Sequence, residues 1–127
     1  MAKPVLLNVA VALALTLVLA VAACGGDDED SIAVGAAKAH EAALELDGDA
    51  ARGRKAWTTA GCGACHTLSS SQADGTSGPN LDEVRPSQRL VVDRVALGFR
   101  AMPTYQGILT PQQIADVAAY VAASTRR

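Results

Sequence analysis

The sequence predicts an all-α fold for the C-terminal part of the chain, residues 49–127, with three main helices and no sheet. Apolar residues in this part recur at helical spacing, and a capping residue or a proline marks the start of each predicted helix. No stretch within it alternates apolar and polar residues as a half-buried strand does. Its aromatic residues are few: Trp57, Phe99, Tyr105 and Tyr120. A domain of fewer than about 80 residues with so few large side chains needs something else to fill its centre.

The first two helices are indicated by residues at their ends. Asp49 is a suitable N-cap for a helix over residues 50–60, and Gly61 is a suitable residue to end it. The second helix is expected within residues 86–97 or as far as Phe99, with Pro86 at its start. Its apolar residues recur at helical spacing: Val91, Val92, Val95 and Phe99.

The third helix has the most complete signals. Thr110 is the predicted N-cap, Pro111 takes the first helical position, and Gln113 completes a capping box. The apolar residues Leu109 and Ile114 flank the cap as a hydrophobic staple. One apolar stripe then follows: Ile114, Val117, Ala118, Val121 and Ala122.

Residues 1–23 are predicted to be a signal peptide of the lipoprotein type. Lys3 supplies a positive start, residues 5–23 are almost entirely apolar, and small residues precede Cys24. The Val-Ala-Ala-Cys junction resembles the bacterial lipoprotein signal, in which the cysteine is acylated and becomes the mature N-terminus. The alternative is an uncleaved transmembrane anchor, because the run is at the lower limit of about 18 residues for a bilayer span. Either arrangement places the remaining chain on the extracytoplasmic side of the membrane and attaches it there.

Residues 24–48 are predicted to be a lipidated acidic tether. They hold seven acidic residues against Lys38, a net charge of −6, whereas residues 49–127 hold nine basic and six acidic residues, a net charge of +3. A charged, alanine-rich segment of this kind is expected to be a solvated spacer, although a helix could start on Ser31. The positive excess of residues 49–127 is either an ordinary solvated surface or a mildly basic docking face for an acidic partner.

The stretch GCGACHT, residues 61–67, contains Cys62 and Cys65 at C-x-x-C spacing with His66 directly after them. A dithiol redox pair at this spacing would need a βαβ context, and no strands are predicted here. A structural zinc site would need four ligands, and residues 49–127 offer no second pair of cysteine or histidine. Acylation of Cys24 would leave these two cysteines as the thiols of the mature chain.

The same five characters, C-x-x-C-H, form the signature of covalent haem attachment. Cys62 and Cys65 would each form a thioether to one macrocycle, and His66 would then be the proximal iron ligand. A covalently held haem c would also fill the centre that the side chains leave. For the sixth ligand, Met102 is the methionine that remains after the signal, and it lies in a loop before Pro103. His40, in the predicted tether, and an open five-coordinate site are the alternatives.

Residues 49–127 resemble a class I c-type cytochrome of the small bacterial, monohaem kind along essentially their whole length. The matching pieces are Gly53-Arg54-Lys55-Ala56-Trp57, Cys62-Gly63-Ala64-Cys65-His66-Thr67, Gly78-Pro79-Asn80-Leu81, Ala101-Met102-Pro103 and Ala119-Tyr120-Val121. The resemblance implies that the Pro79 carbonyl orients the other ring nitrogen of the proximal histidine. It also implies that Gly53 and Trp57 on the first helix pack across Tyr120 on the last. The lysine-rich face of mitochondrial relatives is absent, so partner specificity does not follow.

The expected function is therefore electron transfer by a carrier, not an enzyme, held on the periplasmic side of the cell membrane by a lipid anchor. Iron held by His66 and Met102 would have no open position for a substrate. The resemblance implies a quinol–cytochrome c reductase or dehydrogenase as donor, and a terminal oxidase or reductase as acceptor. Two other functions stay open: a haem that binds a small gas or reduces peroxide, and a haem subunit fixed in a larger enzyme.

Overall fold

The structure is a computed structural model that describes residues 28–126. The predicted signal peptide and Cys24 lie outside these residues. Contacts group the residues from Ile32 onward into one compact unit. Within residues 28–126, no helix is both long enough and apolar enough to cross a membrane.

Five α-helices and two short strands make up the described part of the chain. In order they are α1 Asp28–Glu45, α2 Ala50–Thr59, β1 Thr67–Leu68, β2 Ala73–Asp74, α3 Leu81–Val84, α4 Gln88–Leu97 and α5 Pro111–Thr125. Two 3₁₀ turns, Cys62–Ala64 and Ser69–Ser71, flank β1. The three main predicted helices correspond to α2, α4 and α5.

The caps of these three helices explain where they begin. The side chains of Asp49, Ser87 and Thr110 accept hydrogen bonds from backbone N–H groups in the first turns of α2, α4 and α5. Helix α5 has the predicted capping box, with Gln113 reaching back to the Thr110 N–H, and Pro111 at its first position. Helix α4 begins after Ser87 and not at Pro86, because the serine hydroxyl satisfies the N–H of Leu90.

The prediction of no sheet was wrong in one detail. Strands β1 and β2 form a two-stranded antiparallel sheet, with Thr67 opposite Asp74 and Leu68 opposite Ala73. Gln72 has a φ of 54°, and this left-handed residue turns the chain back between the strands. Strands of two residues are too short to show an alternating pattern, so the sequence gives no sign of them.

Helix α1 occupies most of the segment predicted to be a spacer. It begins at Asp28, before the suggested N-cap Ser31. From Ile32 onward it belongs to the same compact unit as the other helices. The Ala43 side chain is buried in the core, and Leu44 packs against it.

The core lies between α2, α4 and α5. Helix α5 is buried along most of its length, and Trp57 of α2 meets Tyr120 of α5 edge to face, with ring centroids 6.1 Å apart. Gly53 lies directly against the α5 backbone, because a Cβ at this position would overlap the carbonyl oxygen of Asp116. The two helices therefore pack at a distance that only glycine permits.

Asp116 joins the N-terminal end of α2 to α5. Its buried carboxylate accepts hydrogen bonds from the Asp49 N–H at 2.8 Å, from the Arg52 guanidinium at 2.8 and 2.9 Å, and from the Gln112 amide at 2.9 Å. These donors, with Arg52 the strongest influence, lower the pKa of Asp116 to about 2. A buried carboxylate with four donors is satisfied, so it stabilises the pairing of the two helices.

We expect acid to weaken this junction. The folded-state pKa of Asp116 lies below its ordinary value of 3.8, so the carboxylate stabilises the fold fully above that pH. About 2 kcal/mol of stability should be lost as the pH falls from about 4 to about 2. Denaturant unfolding across this pH range would measure it. Asp116→Asn should be less stable at pH 7 and should lose part of the pH dependence, whereas Asp74→Asn at an exposed position should behave as the wild type.

Candidate functional site

The cysteine motif is held in a tight turn after α2. Gly61 has a φ of 71°, in the left-handed region, and it directs the chain into the 3₁₀ turn Cys62–Ala64. The carbonyl of Cys62 then accepts hydrogen bonds from the N–H groups of Cys65, at 3.2 Å, and His66, at 3.1 Å. This turn places both cysteine side chains and the imidazole on one cavity.

A glycine-containing loop, residues 75–79, closes around the motif. The Gly78 N–H donates to the Cys65 carbonyl at 2.7 Å, and the Thr67 hydroxyl donates to the Gly75 carbonyl at 3.0 Å. A Cβ at Gly78 would come within 2.6 Å of the His66 ring. A Cβ at Gly75 would come within 2.6 Å of the backbone at Cys65. The loop can therefore lie against the motif only because both residues lack a side chain.

The orientation of His66 is set by Pro79. The His66 Nδ1–H donates to the Pro79 carbonyl oxygen at 2.9 Å, since a carbonyl can only accept. In neutral imidazole the other nitrogen, Nε2, then carries the lone pair that a metal ligand needs. The hydrogen bond is the one that the cytochrome resemblance implies for these two residues.

Met102 lies in the loop that joins α4 to α5. Two hydrogen bonds of 3.0 Å between Phe99 and Met102, each from the N–H of one to the carbonyl of the other, form a tight turn. The next residues attach this loop to α4, because the Thr104 hydroxyl donates to the Ala96 carbonyl at 2.7 Å and the Tyr105 N–H to the Val95 carbonyl at 2.9 Å. Met102 is partly buried and faces the same cavity as His66.

That cavity has a volume of about 540 Å³ and a mostly apolar lining. Helix α4 supplies one wall through Leu90, Val91 and Val95, and helix α5 supplies Val117 and Val121. Arg94 of α4 also lines the cavity, and the remaining lining residues come from α2, α3 and the loops: Trp57, Cys62, Cys65, His66, Ser77, Gly78, Pro79, Leu81, Val84, Pro86, Phe99, Arg100, Ala101, Met102, Pro103 and Tyr105. The sequence provides few large side chains for the core of this domain, and that core surrounds the cavity.

The residues on the cavity fit a covalently attached haem. Cys62 and Cys65 are both free of disulfide, and burial raises the pKa of the Cys62 thiol to about 11. Two thiols, one imidazole nitrogen and one thioether sulfur around an apolar space are the groups that hold a c-type haem. Among residues 28–126, no group of three or more His, Cys, Asp and Glu side chains could hold a bare metal ion.

His40, the alternative sixth ligand, lies elsewhere in the described structure. Its Nε2–H donates to the Asp93 carboxylate at 2.6 Å, and His40 is not among the residues that line the cavity. The histidine therefore links α1 to α4, which its position in a predicted spacer did not suggest.

Sequence reasoning missed Arg94, which lines the cavity together with Phe99 and Arg100. The Arg94 guanidinium lies 3.9 Å from the centre of the Phe99 ring, and that of Arg100 lies 5.2 Å from it. Phe99 is 47% exposed. Arg94 stands one helical turn after Leu90, and this spacing was the available signal that its side chain shares the cavity-facing side of α4.

Comparisons with known proteins agree with this site. The family model described as "Cytochrome C oxidase, cbb3-type, subunit III" matches residues 48–121. Among solved structures, the c-type cytochrome SorU from Sinorhizobium meliloti is 38% identical, with a TM-score of 0.56, over 59% of this chain and 88% of that one. Among curated protein sequences, none matches the chain.

The prediction of a covalently bound haem c is confirmed by the family and by the similar structure. The family match includes the cysteine motif, the Pro79 loop, Met102 and most of α5. Haem c is the cofactor to which the cavity, the donor groups around it and the two comparisons all point. The chain therefore belongs to the cytochrome c oxidase, cbb3-type, subunit III family, and its domain is a c-type cytochrome that carries haem c and transfers electrons.

Proposed function

We propose that the protein is a membrane-tethered, extracytoplasmic carrier of single electrons, with His66 and Met102 as the axial iron ligands. The observation that carries this proposal is that both cysteines of the motif, His66 and Met102 line one apolar cavity. His66 and Met102 are 36 residues apart in sequence. His66 lies in a loop before α4, and Met102 lies in the loop after it.

Four side chains would hold the haem, and each has a distinct task. Cys62 and Cys65 would form the thioether bonds, and the turn between them keeps their sulfurs on one face. His66 would ligate iron through Nε2, and the Pro79 carbonyl prevents its ring from rotating. When bound, the haem supplies a one-electron couple between Fe(II) and Fe(III).

Met102 would occupy the remaining axial position through its thioether sulfur. A soft, neutral sulfur ligand stabilises the reduced metal more than a second imidazole does, so the potential is raised. With both axial positions held by side chains, no position is left for a substrate. This favours a carrier over a gas-binding protein or a peroxidase.

The walls of the cavity keep water from the centre. Leu90 and the valines of α4 and α5 give it a low dielectric constant, and their packing changes little when the charge of a bound group changes by one. A rigid, apolar surrounding of this kind limits the rearrangement that accompanies electron transfer. Exposed Phe99 and the two arginines beside it then lie where a partner could approach.

Redox proteins of a respiratory chain are the proposed partners. The family description supports a role beside a cbb3-type oxidase, and the resemblance adds a quinol–cytochrome c reductase or dehydrogenase as the donor. A tether on the periplasmic side would raise the concentration of the carrier near such membrane complexes.

Absorption spectra of the oxidised and reduced protein test the proposal. The protein would be produced by export in a host that has the haem-attachment machinery. We expect the spectrum of a low-spin c-type haem, with a Met–Fe(III) charge-transfer band in the oxidised form and no CO binding to the reduced form at neutral pH. A missing band, or ready CO binding, would favour an open iron site and a gas or peroxide function.

Lipid attachment has its own test. We expect Cys24→Ser to leave haem attachment and the absorption spectra unchanged but to abolish acylation, so that the variant no longer partitions into detergent and migrates differently on a gel. Ala23→Ser keeps the cysteine and serves as the control. Unchanged partitioning of Cys24→Ser would favour the alternative, an uncleaved transmembrane anchor.

A further inference from the structure

We propose that helix α1 braces the loop that carries Met102, so that Gly35, His40 and Gln106 act as positioning residues for the axial sulfur. The inference rests on the proposed ligation by Met102. It gives α1 a task in the haem site that its sequence, an acidic and alanine-rich spacer, does not suggest.

The first contact joins α1 directly to the Met102 loop. Gly35 lies against the side chain of Gln106, because a Cβ at Gly35 would overlap the Gln106 amide nitrogen and lie 3.6 Å from its Cδ. Gln106 is partly buried although it stands in a loop. The absence of a side chain at Gly35 therefore gives the glutamine room to lie on the helix.

The second contact holds α1 on α4. The His40 Nε2–H donates to the Asp93 carboxylate at 2.6 Å, and both side chains are partly shielded from solvent, with exposures of 18% and 31%. Ala43, one turn further along α1, is buried in the core. This pairing joins residues that are 53 positions apart, and it keeps the Gly35 end of α1 over the loop.

Hydrogen bonds join Gln106 to Thr104 and to the end of α4, close to Met102. The Gln106 N–H donates to the Thr104 hydroxyl at 3.1 Å, and that hydroxyl donates to the Ala96 carbonyl at the end of α4 at 2.7 Å. Thr104 is two residues from Met102, with Pro103 between them restricting the backbone. The loop is thus held on one side by α4 and on the other by α1.

The expected consequence of loosening the brace is easier loss of the methionine ligand with no loss of haem. Added imidazole competes with Met102 for ferric iron, and it removes the charge-transfer band as it does so. We expect His40→Ala and Gly35→Leu each to lower the imidazole concentration at half-displacement about threefold to tenfold, the effect of one lost hydrogen bond or contact.

The experiment compares these variants with two controls in the full-length holoprotein. His40→Gln keeps an N–H donor for Asp93 and should restore most of the wild-type value. Ala37→Leu places the same leucine side chain at an exposed position on the same helix and should have no effect. The midpoint potential of each protein would be measured in parallel, and we expect it to fall only in the variants that loosen the brace.

The outcomes separate the brace from the ligand assignment. Suppose that the wild-type protein has the charge-transfer band and that the imidazole concentration at half-displacement is the same in all variants. That result would overturn the brace and leave ligation by Met102 intact. A wild-type protein without the band would overturn the ligand assignment, and the brace with it. Lower values in His40→Ala and Gly35→Leu, with His40→Gln and Ala37→Leu unchanged, would support the proposal.

Discussion

Met102→Ala is expected to leave the haem attached to Cys62 and Cys65 but to lower the midpoint potential and open the iron to external ligands. The thioether sulfur would be replaced by a methyl group, which cannot ligate iron. We expect a fall on the order of 0.1 V or more, a fraction of the roughly 0.8 V range that axial ligands cover. The Met–Fe(III) charge-transfer band should disappear, and CO should bind the reduced variant. A redox titration monitored by absorption measures the first effect, and CO difference spectra measure the second.

The control for this variant is Ile108→Ala in the same loop. Ile108 is 67% exposed and does not line the cavity, so its loss should leave the potential and the charge-transfer band unchanged. If the potential of Met102→Ala equals that of the wild type, the sixth ligand is another residue.

The candidate groups for holding the haem could be proposed from the sequence because their chemistry is local in the sequence. Cys62, Cys65 and His66 form one continuous motif, and Met102 stands beside a proline in a segment between two predicted helices. Each of these signals depends on residue type and spacing within a few positions. The same is true of the Thr110 capping box, which is present in the structure as predicted.

The supports around these groups could not be predicted in the same way. The His40–Asp93 and Asp116–Arg52 pairs join residues more than 50 positions apart, and neither pair belongs to a periodic pattern. Gly78 belongs to one of the pieces that resemble c-type cytochromes, but its contact with the His66 ring depends on the path of the loop in the folded chain. Contacts made by tertiary packing of single residues leave no signature along the chain.

Gly53→Ala is expected to destabilise the protein, although the same change stabilises most helices. In the interior of an unobstructed helix, alanine is favoured over glycine by about 1 kcal/mol. Here the added Cβ would overlap the backbone carbonyl of Asp116 and come within 2.7 Å of the Tyr120 Cβ. Helices α2 and α5 would have to separate, and overpacking that moves the backbone costs about 1–3 kcal/mol, with a clash against backbone at the upper end of that range. Guanidinium unfolding followed by the fluorescence of the single Trp57 measures the change.

Ala51→Gly on the exposed side of α2 supplies the matched control, because it changes helix propensity without touching α5. Ala51→Gly should lower the free energy of unfolding by about 1 kcal/mol. If the Gly53 site were unobstructed, Gly53→Ala would raise it by the same amount. A stabilised Gly53→Ala would therefore show that the two helices have room for a methyl group and that the close approach is not required. The expected loss would show instead that glycine at this crossing sets the separation of α2 and α5. Because Trp57, Val117 and Val121 line the haem cavity from these two helices, that separation also sets the width of the cavity.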